Sequence, residues 1–88
     1  MNLYQIHCGF YDEEVSDGIY EFHVNIPVVA RSIEEAKNKV RTISHFKNKK
    51  MHIDGIQEIK SIDGYRVTLT KDLELQSESI NNIPFRDL

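Results

Sequence analysis

Four side chains suited to holding a metal ion or polarising a water molecule, His7, His23, His52 and Asp54, sit on the polar members of alternating segments. Residues Leu3 to Phe10 place Tyr4, Ile6, Cys8 and Phe10 on one side and Leu3, Gln5, His7 and Gly9 on the other, the period of a half-buried strand. The pattern resumes with Tyr20, Phe22, Val24, Ile26 and Val28 facing one way and Glu21, His23 and Asn25 the other. Antiparallel pairing that matches the apolar faces sets Tyr4 opposite Ile26, Ile6 opposite Val24 and Cys8 opposite Phe22. His7 then lies directly across from His23, with β-carbons about 5 Å apart, close enough for both imidazoles to reach one ion. His52 and Asp54 share a face at i, i+2 spacing. If the two pairs lie side by side, His7, His23 and His52 become a metal set completed by Asp54, able to hold zinc or another divalent metal or to polarise a bound water. The same residues also suit a plain solvated sheet face, and they match no established ligand spacing. The leading expectation is therefore no cofactor, with zinc or another divalent metal as the alternative.

Other chemistry finds less support. Adjacent strand residues point to opposite faces, so His7 cannot activate Cys8, which reads as a core residue. Asp12, Glu13, Glu14 and Asp17 lack the spaced oxygen ligands and fixed glycine of a calcium loop and read as a solvated acidic turn. Gly9, Gly18, Gly55 and Gly64 are isolated, reading as turn or bulge residues, and cradle no phosphate. With 11 Lys+Arg against 14 Asp+Glu the net charge is −3, which argues against nucleic acid as a partner. The basic group Lys47, Lys49 and Lys50 reads as a solvated loop. A lone cysteine fits a reducing compartment, and the longest apolar run, Ile26 to Ala30, is far short of a membrane span. A cytoplasmic protein with no membrane contact is expected.

The elements that must position these residues follow from local patterns. Ser32-Ile33-Glu34-Glu35 is a capping signature that should open a helix, with Ile33, Ala36, Val40 and Ile43 on its packing stripe and fraying expected by His45 to Asn48. Met51 to Lys60 return to alternation, less cleanly, with Met51, Ile53 and Ile59 opposed to His52, Asp54, Ile56 and Glu58. Asp63-Gly64 marks a hairpin, as a two-residue type I′ turn or as the three-residue loop Ile62-Asp63-Gly64. The three-residue loop is preferred because it keeps one face apolar, pairing Ser61 with Tyr65 and Ile59 with Val67. The expected fold is α+β, a ββαββ two-layer domain over residues 1–70 with a four-stranded antiparallel sheet and one helix packed on one face. Residues 71–88 form a C-terminal tail, flexible or docking on a partner.

The chain also resembles an uncharacterised bacterial domain-of-unknown-function family, DUF family 1543. The resemblance rests on Leu3-Tyr4 followed by Gly9, Glu21-Phe22-His23-Val24 leading to Val28-Val29-Ala30, the capped helix Ser32 to Ala36, and His52-Ile53-Asp54 followed by Ile62-Asp63-Gly64-Tyr65. It spans residues 1–70. Proteins of this kind often carry two such units in tandem, which implies that a single unit pairs with a copy of itself. The resemblance transfers no activity, and it highlights His23, His52, Asp54, Asp63, Gly64 and Tyr65. The turn explains Asp63 and Gly64, leaving His23, His52, Asp54 and Tyr65 as ligand-binding candidates.

The function expected from all of this is a small binding or protein-interaction module, acting as a homodimer and not as an enzyme. The open edges of the sheet and the spare apolar residues of the tail motivate it. The alternative is a metal-dependent or small-molecule-binding enzyme site on the polar sheet face, built from His7, His23, His52 and Asp54.

Overall fold

Strand β1 (Asn2–Tyr11) is the middle of the sheet, and everything else is arranged against it. The computed structural model describes residues 1–88, with Ser16 described by its backbone alone. A short helix α1 (Glu13–Ser16) leads to β2 (Glu21–Ala30), followed by helices α2 (Ile33–Thr42) and α3 (Ser44–Asn48) and strand β3 (His52–Ile59). Both β2 and β3 pair antiparallel with β1, giving the order β2-β1-β3. A separate two-stranded ribbon, β4 (Ser61–Ile62) and β5 (Tyr65–Arg66), completes the described strands, and a turn of 3-10 helix covers Phe85–Asp87. The domain is thus α+β, but the expected four-stranded sheet with one helix is replaced by a three-stranded sheet, a detached ribbon and several helical segments. The ribbon stands apart because Ser61, Ile62, Tyr65 and Arg66 are all exposed, so burial does not tie it to the sheet.

The face that carries Tyr4, Ile6 and Cys8 packs under α2. These residues, with Val28, Ala30, Ala36, Val40 and Met51, are the buried core, and Phe10, Val24, Ile26, Ile43, Phe46, Ile53 and Ile56 pack against it. Helix α2 begins where the serine signature places it: Ser32 Oγ accepts from the Glu35 amide at 3.2 Å. Glu35 does not close a full capping box, since its carboxylate accepts instead from the Arg31 amide at 3.4 Å. Ala36 and Val40 turn inward as expected, whereas Ile33 stays 55% exposed at the first turn. The helix does not fray through to Asn48. Ile43 adopts extended backbone (φ −69°, ψ 131°), and a second helix, α3, starts directly after it. Nor is the acidic segment an open turn: Asp12 caps α1 by accepting from the Glu14 amide at 3.0 Å and pairs with Lys49 Nζ at 2.7 Å. Lys49 is consequently drawn out of the basic loop expected at Lys47 to Lys50, and the hydrogen bond it donates holds the Asp12 carboxyl below its ordinary range.

Two registers differ from expectation, each for a physical reason. Between β1 and β2 the pairs are Tyr4 with Val28, Ile6 with Ile26, Cys8 with Val24 and Phe10 with Phe22, a shift of two residues. A two-residue slip keeps every side chain on its own face, so apolar matching cannot distinguish the two alignments. The observed one gains Phe10 on Phe22, ring centroids 5.7 Å apart. Between β1 and β3 the pairing runs Ile6 with Ile56 and His7 with Gly55, then Cys8 with Ile53, leaving Asp54 as the extra residue of a β-bulge. The bulge explains the untidy alternation: it brings Ile53 and Ile56, three apart, onto the core face and sends Ile59 to the other. The ribbon turn is the two-residue form, Ser61 pairing with Arg66 and Ile62 with Tyr65, and Asp63 (φ 54°) and Gly64 (φ 80°) are both left-handed. With no buried face to satisfy, the twist preference of the type I′ turn decides.

This assignment makes Ile56, not Ile59, the core member of β3. Ile56→Ala should lower the unfolding free energy by about 2 kcal/mol and Ile59→Ala by less than about 1 kcal/mol in denaturant titrations. The reverse order would remove the bulge.

Candidate functional site

Gly9 lies near the C-terminal end of β1, the central strand, on the face away from the helices, with His23 of β2 on one side and His52 of β3 on the other. Adjacent strands are about 4.8 Å apart, so the backbones carrying the two histidines stand roughly 10 Å from each other. Both imidazoles can lean inward only because the residue between them has no side chain. A β-carbon built on Gly9 would lie 2.6 Å from each of Asp54 Oδ2, Glu21 Oε1 and His52 Nε2. Gly9 is therefore no turn residue; it is the floor of a polar cradle, and its role is to be absent above the backbone.

Around that floor four side chains from β2 and β3 converge. His23 Nε2 lies 2.6 Å from Glu21 Oε1 and 3.2 Å from Asp54 Oδ2. His52 Nε2 lies 3.1 Å from Asp54 Oδ1 and 3.4 Å from Glu21 Oε1. Each carboxylate thus faces both imidazoles, and these contacts are attractive when the imidazole carries a proton. Ligands held about 2.0–2.1 Å from a tetrahedral ion lie roughly 3.3 Å from one another, close to three of the four separations. The side chains are 30–45% exposed, so an ion could enter and leave without the fold opening.

A second layer orients the first. Tyr11 donates its hydroxyl to Glu21 Oε2 at 2.9 Å, leaving Oε1 turned toward the histidines. This hydrogen bond, helped by the charges of His23 and His52, holds the Glu21 carboxyl below its ordinary range, while the same bond pushes the Tyr11 phenol up. His7 does not lie across from His23, as the expected register had it; its direct partner is Asn25, and His23 is its diagonal neighbour. The two rings nevertheless meet, stacked with centroids 4.8 Å apart and planes 6° from parallel. His7 Nδ1 donates to Asn25 Oδ1 at 2.7 Å, because a carbonyl oxygen can only accept, and in the neutral ring this leaves the Nε2 lone pair free.

The structure brings His7, His23, His52 and Asp54 onto one side of one sheet, as the alternation implied. Two groups of potential ligands satisfy metal-binding distances among the described residues: His7, His23 and Asp54, and Glu21, His52 and Asp54, the donor atoms of each group within 4.8 Å of one another. Tyr65 is not among them; it sits on the separate ribbon, 76% exposed, opposite Ile62. Sequence reasoning placed Glu21 on the polar face without assigning it to the site, and it missed Gly9 and Tyr11. The available signal was a glycine interrupting a strand on the face that carries the histidines, since an interior strand glycine marks a close approach. Cys8 stays apart, buried on the opposite face with its thiol pushed up by burial and by the Asp54 charge.

Fold and site together define an α+β domain with an imidazole–carboxylate cluster on an open sheet face. The chain belongs to the Domain of Unknown Function (DUF1543) family, whose model matches residues 19–69, more than half of its length. The match includes Glu21, His23, His52 and Asp54, and it begins after β1, so Gly9, His7 and Tyr11 lie outside it. No curated protein and no solved structure matches the chain. No helix among the described residues is long and apolar enough to cross a membrane.

The Tyr11 contact has a signed consequence. A carboxyl whose pKa is depressed by folding contributes stability above its unfolded pKa, and that contribution disappears as pH falls through the folded value. Tyr11→Phe should therefore move the Glu21 titration upward toward the ordinary glutamate range in carboxyl-carbon NMR. An unmoved Glu21 would show that the hydroxyl does not hold it.

Proposed function

We propose that this chain is a divalent-metal-binding domain whose ion is held over Gly9 by His23, His52, Glu21 and Asp54. The observation that carries the reading is the convergence of two imidazole nitrogens and two carboxylates, at 2.6–3.4 Å, above a backbone position where any β-carbon would collide with them. Mixed nitrogen and oxygen donors favour a first-row transition ion such as zinc over calcium or magnesium, which prefer oxygen alone. Four such groups contribute little as exposed ion pairs, so the arrangement gains more from a bound cation than from its own contacts.

Zinc at 100 times its dissociation constant should stabilise the folded chain by about 2.7 kcal/mol, read as a rise in the thermal midpoint that a chelator reverses. His52→Ala and Asp54→Ala should each weaken zinc binding at least about tenfold while leaving the metal-free midpoint nearly unchanged. Gly9→Ala should act in the same way, since only the ends of flexible side chains must move to admit the methyl group. A metal-free midpoint that collapses in these variants, with zinc affinity retained, would make the cluster structural.

A second reading, self-association, is supported by the exposed apolar residues of the tail, where Leu73, Phe85 and Leu88 are 87–91% exposed, and by the two open edges of the three-stranded sheet. Under this reading removal of residues 71–88 converts a dimer to a monomer in sedimentation equilibrium, and a full-length chain that is monomeric at high concentration would eliminate it.

A further inference from the structure

We infer that the cluster takes a pair of divalent transition-metal ions, with the Asp54 carboxylate as the bridge between them; this deepens the metal-binding reading and rests on it. The first observation is how Asp54 divides its two oxygens. Oδ1 is 3.1 Å from His52 Nε2 and Oδ2 is 3.2 Å from His23 Nε2, so each oxygen serves a different imidazole. A single tetrahedral ion needs only one of them, whereas a carboxylate spanning two ions uses both. The second observation is that the ligand groups are two triads with Asp54 in common, Glu21, His52 and Asp54 on one side and His7, His23 and Asp54 on the other, with Glu21 Oε1 also 2.6 Å from His23 Nε2 where the two meet. Each supplies three protein donors, the number that leaves an ion with positions open to water or a further ligand. Ions joined in this way stand about 3.5–4 Å apart, a distance one carboxylate spans.

The third observation concerns His7, which the single-ion reading leaves without a task. Its Nδ1 is occupied as a donor to Asn25 Oδ1, and the neutral ring therefore presents Nε2 as a ligand, oriented by a hydrogen bond on its other nitrogen in the manner of metal-bound histidines. It stacks on His23 with the planes 6° apart, and because imidazole lone pairs lie in the ring plane, one ring must turn out of this stack for both to bind the same ion. The residue across from it on β3 is Gly55, and a β-carbon added there would meet nothing within 4 Å, so no side chain at that position fills the space beside His7. The bulge places Asp54 and Gly55 together opposite His7, bringing the bridging carboxylate and the clear space to the same place.

The experiment is a zinc titration of the full chain followed by native mass spectrometry, with manganese(II) loading followed by electron paramagnetic resonance as a second readout. The expected result is two ions per chain, spin coupling between paired manganese ions, and a His7→Ala variant that retains one ion and loses the coupling. His7 is exposed on the polar face, so this variant keeps the core intact. One ion in both the natural chain and His7→Ala would overturn the pair while leaving the metal-binding domain in place. Two ions in both would overturn the assignment of His7 to the second triad. No ion at all would overturn both readings.

Discussion

Strand β1 is hydrogen-bonded along both edges, so its two neighbours must each settle into register with it, and the position where those registers meet is Gly9. Pairing His23 and His52 with the same residue puts two imidazoles in one row across three strands. Any side chain on the central strand would hold them apart, and Gly9 has none. The strand that lacks functional groups at this point thus does most to assemble them. Its opposite face carries Tyr4, Ile6 and Cys8 into the core, so the burial that holds the sheet to α2 also holds the floor of the cradle in place.

The bulge at Asp54 couples core and site in a second way. Inserting one residue into β3 brings both Ile53 and Ile56 to the packed face and leaves Asp54 and Gly55 together on the polar one. A regular strand would put Ile56 in water and face His7 with a single residue. The bulge thus exchanges Ile59 for Ile56 on the packed face, and the placement of Asp54 goes with it. The histidines and carboxylates are partly exposed, and contacts of that kind add little to what holds the sheet together.

Much of this was legible in the residues. Alternation assigned the side chains it named within β1 and β2 to their correct faces, though Tyr20, read with the apolar set, lies outside β2 and is 69% exposed; Ser32 marked the start of α2, Asp63-Gly64 marked the ribbon turn, and the polar face named His7, His23, His52 and Asp54. Each of those signals is local, depending on a periodicity or a cap that neighbouring residues determine among themselves. Less legible was anything that depends on alignment between strands. A register shift by two conserves every face, so His7 opposite His23 and His7 opposite Asn25 look the same to a hydrophobic pattern, although only the second leaves His23 and His52 flanking Gly9.

The sequence by itself determined the fold class, the two faces of the sheet and the residue types available on the polar one, because burial and local hydrogen bonding act over a few residues. The tertiary structure alone decided that the sheet has three strands, that β3 is bulged, and that Glu21, with Tyr11 behind it, joins the histidines over Gly9. Those outcomes depend on how segments distant in the chain pack against one another, where a ring stacked on a ring or an isoleucine turned inward chooses between alignments that local chemistry leaves equal.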